Sequence, residues 1–90
     1  MVAQAEHILT EVPGVERVGS VRLRRLGRVL RAEADIVVRH DLSLFQSHAV
    51  AMEAEHRLIH DLPRLRATTV HADPDGLDGT DHHATLLAHR

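Results

Sequence analysis

The sequence predicts a small α+β domain of order αββαβ, folded as a two-layer sandwich. Three observations predict it. One stretch, about 44–61, repeats apolar residues at helical spacing behind a capping signature. Three other stretches alternate apolar and polar residues with period two. Pro and Gly fall between these segments, where turns are required.

In chain order, Ala3 to Glu11 is expected to form a short helix with Ala5, Ile8, Leu9 and Val12 near one face. Pro13-Gly14 ends it. Val15, Gly19, Val21 and Leu23 then recur at period two, with Arg22 and Arg24 on the other side, so a half-buried strand is expected. Gly27 supplies a turn. A second strand spans about 29–39, with Leu30, Ala32, Ala34, Ile36 and Val38 on one face and Arg31, Glu33, Asp35, Val37 and Arg39 on the other.

Ser43 can cap the next helix, and Gln46 three residues on completes a capping box. Leu44, Ala51, Met52, Leu58 and Ile59 are its expected apolar stripe, and Pro63 follows its end. A third strand covers about 66–73, with Val70 and Ala72 inward and Thr69, His71 and Asp73 outward. A hairpin, a helix and a last strand laid beside the first make a ferredoxin-like sheet, with both helices on one face by the crossover rule. Residues 1–75 are expected to form this domain, and 76–90 a flexible, polar, His-containing tail with His82, His83 and His89.

Composition narrows the function. There is no Cys, so disulfides, thiolate metal sites and Cys nucleophiles are excluded, and any metal must be held by His, Asp, Glu or water. Net charge is −2 and the chain has one Phe, no Trp and no Tyr, which argues against nucleic-acid binding. No apolar run is long enough to span a bilayer, and the start lacks the form of a signal peptide, so a soluble, cytoplasmic chain is expected. Nine of the 90 residues are His, and neutral imidazole is the commonest metal ligand.

Several residues can carry such chemistry, and each has a plainer explanation beside it. His71 and Asp73 lie two apart on the outward face of the last strand, where an imidazole and a carboxylate can share a metal or simply be solvated. Asp35 interrupts an apolar strand on the same outward side. His48 lies one turn inside the capped helix, as a ligand or a core histidine. His56 and His60 are spaced i,i+4, which can chelate zinc or face water. Arg22, Arg24, Arg25, Arg28 and Arg31 crowd the hairpin, as a solvated rim or as a contact for anionic membrane headgroups.

The runs Val12-Pro13-Gly14-Val15, Val21-Arg22-Leu23-Arg24 with Gly27, Leu42-Ser43-Leu44-Phe45-Gln46-Ser47-His48 and Val70-His71-Ala72-Asp73-Pro74 together resemble the C-terminal cytoplasmic domain of cation diffusion facilitators, which are divalent-metal exporters. The resemblance covers about residues 5–75, and Glu55 falls where the family's helix usually carries Glu. It implies a metallochaperone-like topology and a V-shaped homodimer closed by metal between its arms. It implies Asp35, His48, His71, Asp73 and Asp75 as metal ligands. Glu33 stands where the family has a second aromatic or His ligand, which alters the inner coordination shell. The family's six membrane helices are not in this sequence.

Three functions follow as alternatives. One is a regulatory, dimer-forming metal-binding domain of a divalent-cation exporter, with Zn(II) foremost and the transporter's membrane domain as partner. Another is a stand-alone soluble metal carrier or buffer of the same fold. A hydrolase is the least supported, since a catalytic metal needs an open position, a general base and a pocket. N and O ligands alone do not choose among Zn(II), Co(II), Ni(II), Mn(II) and Cu(II).

Overall fold

A computed structural model describes residues 1–75. The elements are α1 (Val2–Thr10), β1 (Val15–Leu26), β2 (Val29–Val38), α2 (Leu44–Asp61) and β3 (Leu65–Pro74). The expected order αββαβ is therefore present, with element ends within a residue or two of those read from periodicity. The expected tail, 76–90, lies outside the described residues.

The sheet has three strands in the order β1-β2-β3. β1 and β2 form an antiparallel hairpin, and β3 runs parallel to β2. This corrects the expectation that the last strand would lie beside the first. The cause is local. β2–α2–β3 is a crossover unit, and consecutive strands of such a unit pair most readily with each other. β2 also suits the centre: its residues alternate between fully and partly buried along the whole strand, whereas β1 carries Arg22, Arg24 and Arg25 and is mostly exposed.

Leu30, Ala32, Ala34, Ile36 and Val38 of β2 form the middle of the sheet's share of the core. α1 lies against β1 and α2 against β3, and the helices touch each other on that same face. Ala5, Leu9 and Val12 come from the first helix and its exit, and Leu62, Leu65 and Val70 close the far side. Each fully buried Leu, Ile or Val contributes roughly 1.5–3 kcal/mol. The alanines bring little apolar area and instead let α2 approach the sheet closely.

Two expectations about faces need correction. The buried residues of α2 are Ala51, Ala54 and Leu58, spaced i, i+3, i+7. Of the expected stripe, Leu44 is 88% exposed, Met52 52% and Ile59 41%. These large residues lie to one side of a narrower core-facing line, which small Ala side chains occupy. In β1 the period-two pattern breaks between Val18 and Val21, where a bulge shifts the register. Val18 thus packs on the core, and Gly19, expected inward, is exposed.

The start of α2 is built as the sequence requires. The Ser43 hydroxyl accepts from the Gln46 N–H, and the Gln46 side chain accepts from the Ser43 N–H. Pro13-Gly14 turns the chain from α1 into β1, with Gly14 at φ +97. A side chain there would push Val50 aside, because a Cβ would stand 2.7 Å from Cγ2 of Val50 on α2. That contact braces the first turns of α2, which carry His48.

Candidate metal centre on the outer sheet face

Because β2 alternates strictly, burying Ala34 and Ile36 turns Asp35 outward. Parallel pairing sets Asp35 opposite His71 and Val37 opposite Asp73. A carboxylate and an imidazole thus stand side by side on neighbouring strands, about 4.8 Å apart in backbone spacing. A second carboxylate follows two residues further along β3. His71 is exposed, and Asp35 and Asp73 are half-buried.

The β1 bulge completes the surroundings of Asp35. Gly19 lies so close to β2 that a Cβ there would meet the Asp35 carbonyl oxygen at 3.2 Å. The extra residue brings Ser20 over the strand, and its hydroxyl donates to Asp35 Oδ2 at 2.7 Å. Arg22 donates to Ser20 Oγ at 3.1 Å and stands 3.7 Å from Asp35 Oδ2. The same guanidinium faces Glu33 Oε1 at 3.6 Å. Asp35 is therefore held by a hydroxyl and a cation, and Glu33 is drawn toward Arg22. Sequence reasoning missed Ser20, because unbroken alternation from Val15 cannot register a bulge; the Gly19-Ser20 pair inside a strand was the available signal.

Asp75 lies just past the end of β3, where Arg17 donates to its Oδ1 at 2.9 Å. A hydrogen bond to Asp75 holds the Glu16 carboxyl above the usual range, aided by slight desolvation and charge repulsion, while Arg39 and Arg17 pull the other way. Nearby, the Arg39 guanidinium donates from two nitrogens to Asp41 and holds that carboxyl below its usual range.

The remaining predicted residues lie elsewhere. His48 is exposed on α2, in the helical layer, and is not brought to Asp35 and His71 within one chain. His56 and His60 stack with ring centroids 6.3 Å apart, and His60 Nδ1 lies 2.8 Å from Asp61 Oδ1. Among the described residues no three His, Asp or Glu side chains gather closely enough to hold one metal ion. Zinc takes four ligands as a rule. Asp35 and His71 are thus two donor side chains at paired positions on an open face. Glu55 serves the fold, since its carboxylate reaches across β3 and accepts the Val70 N–H at 2.9 Å.

No helix among the described residues is long and apolar enough to cross a membrane. Residues 1–75 match the family model of the cation efflux protein cytoplasmic domain. Two relatives are the probable cation efflux system proteins MT2084 and Rv2025c of two Mycobacterium tuberculosis strains. Each is 45% identical over 74 residues, which is 82% of this chain and 22% of the relative. The chain thus spans about a fifth of the length of those proteins. Among solved structures, a double variant of the MamM CTD aligns with TM-score 0.79 and 21% identity over 83% of this chain and 90% of that one. A cadmium form of another MamM CTD variant aligns with TM-score 0.77 and 24% identity over 80% and 90%. These structural likenesses share the ferredoxin-like α+β fold described above. On sequence and fold together, the chain belongs to the cytoplasmic-domain family of the cation efflux proteins.

Proposed function

We propose that this chain is the regulatory metal-binding and dimerisation domain of a divalent-cation exporter, and that metal bound between two copies closes the dimer. The observation that carries the reading is the pairing of Asp35 with His71 on an open sheet face, with too few ligands among the described residues to complete a shell. A second copy is the natural source of the rest. We assign Asp35, His71 and Asp73 to the inner set, with His48 and Asp75 as further ligands. His56, His60 and Glu33 are secondary: the two histidines gather no third donor among the described residues, and Glu33 faces the Arg22 guanidinium. The cadmium, nickel and manganese forms of MamM CTD variants support a divalent metal, and Zn(II) fits the N and O donor set. The partner in the intact exporter is its membrane domain. The role is regulatory and not catalytic, because the ligands sit on an open face of a transporter-family domain.

Metal that bridges two arms must favour the arrangement bringing its ligands together, by no more than its differential affinity for the two states. Saturating zinc should also stabilise the fold, by about 2.7 kcal/mol at a hundredfold excess over Kd. The test is small-angle scattering and thermal melts with and without zinc, on the wild type and on Asp35→Ala/His71→Ala. The expected result is a more compact dimer with a higher melting temperature, both lost in the variant. A higher melting temperature with unchanged shape would make the metal structural and end the regulatory reading. A monomer at every concentration would remove the dimer and favour a soluble metal carrier.

A further inference from the structure

The domain is electrically polarised along its strands. The hairpin turn, the first residues of β3 and the start of α1 meet at one end of the sheet, since Leu30 is paired with both Arg25 and Leu65. Met1, Arg25, Arg28, Leu30 and Arg64 line one surface depression there, and Arg28, Val29, Arg64 and Arg66 line its neighbour. Arg24 and Arg31 face each other across the hairpin just below. Among the described residues, none of Arg24, Arg25, Arg28, Arg31, Arg64 and Arg66 has an ion pair or a side-chain hydrogen bond, whereas Arg17, Arg22, Arg39 and Arg57 each face a carboxylate. Three acids of the adjoining elements are engaged elsewhere: Glu33 with Arg22, Glu55 with the Val70 N–H, and Asp61 with His60. Glu16, Asp41, Asp73 and Asp75 lie at the opposite end, where Val38 pairs with Val15 and Pro74.

Like charges repel, and Arg24 opposite Arg31 is unfavourable in itself. The cationic end also carries apolar side chains: Leu26 at the hairpin tip is 53% exposed and Val2 is 42% exposed. Guanidinium groups ringing protruding apolar side chains suit a surface with phosphate outside and acyl chains beneath. A single-stranded nucleic acid would want stacking aromatics, and this end has none.

We propose that this end of the domain, built from the hairpin 24–31 together with Arg64 and Arg66, docks on the anionic phospholipid headgroups of a membrane, with Leu26 entering the interface. The inference does not depend on the metal reading, since Asp35 and His71 take no part in it.

The experiment is co-sedimentation of the 90-residue chain with phosphatidylcholine vesicles, with and without phosphatidylglycerol, at low and physiological salt. Binding should require phosphatidylglycerol and weaken with salt. Each arginine removed should weaken it roughly fivefold, so Arg25→Gln/Arg28→Gln/Arg64→Gly/Arg66→Gln should lose on the order of several hundredfold. Arg64 has φ 70, a conformation glycine adopts freely, so that substitution does not endanger the fold. Leu26→Ser should weaken binding about tenfold. Arg39→Gln, at the acidic end, should bind as the wild type does, and so should Asp35→Ala/His71→Ala. Equal binding to neutral vesicles, or full binding by the quadruple variant, overturns the proposal. So does arginine-dependent binding of inorganic phosphate or a DNA oligonucleotide without vesicle binding.

Discussion

Replacing Gly14 by Ala tests how the turn after α1 holds α2 in place. Two separate costs arise. At φ +97 an L-residue is strained, which costs about 1–3 kcal/mol. The added Cβ would also stand 2.7 Å from Cγ2 of Val50 and 3.5 Å from its Cγ1. Favourable carbon contacts begin near about 3.5 Å. Val50 is half-buried and can shift, so the overlap adds on the order of 1 kcal/mol. The sum is about 2–4 kcal/mol, or a fall of roughly 8–30 °C in melting temperature for a domain this size. Urea titrations at one fixed protein concentration give the number, because dimerisation otherwise confounds it. The double variant Gly14→Ala/Val50→Ala separates the terms. It should be less destabilised than the sum of its parts, by about 0.5–1 kcal/mol. A near-neutral Gly14→Ala, or a strictly additive cycle, would refute the close packing of this turn against α2.

Glu55→Ala strands the Val70 N–H and should cost about 1.5–3 kcal/mol, whereas Glu55→Gln keeps an acceptor and should cost less; thermal melts decide. Leu58→Ala should cost about 2–5 kcal/mol and Ile59→Ala far less. If dilution below the dimerisation range erases a large Ile59→Ala effect, that residue is covered by the second copy. The folded Asp41 carboxyl lies below its usual range, so its contribution is full above the unfolded pKa near about 3.9 and fades as pH falls through the folded value. Stability differences between wild type and Asp41→Asn should therefore be flat at neutral pH and shrink below about pH 4 in urea titrations. Arg22→Gln frees Asp35 of a competing cation and should tighten zinc binding by about two- to fivefold in calorimetry, in line with an exposed ion pair; weaker binding would count against Asp35 as a ligand.

The elements were legible because each carries its own local signature. Ser43 and Gln46 announce α2, and the alternation from Leu30 to Val38 fixes which face of β2 is buried and hence that Asp35 looks outward. His71 and Asp73 were likewise assigned to the outer face, as observed. Strand order was harder to read, because a five-residue alternation in β3 says which face is inward and nothing about its neighbour. The α2 stripe failed for a related reason: Ala54 looks inconspicuous beside Met52 and Ile59, yet the sheet selects small residues where a helix must lie close. The contact of Ser20 with Asp35 depends on a bulge, and the gathering of Arg64 and Arg66 with the hairpin depends on the crossover. Neither is a local property of the chain.

The Glu55 carboxylate has a consequence for how copies of the chain can meet. β3 is an edge strand, and an edge strand offers free N–H and C=O groups on which another chain can extend the sheet. Here the middle of that edge is already taken, since the Val70 N–H is bound to Glu55. A strand added from a second molecule would have to displace a charged side chain and desolvate it. The other edge, β1, is bulged and studded with arginines, which also discourages strand addition. Both borders of the sheet thus resist strand addition, which favours association through faces and side chains, where a finite assembly can form.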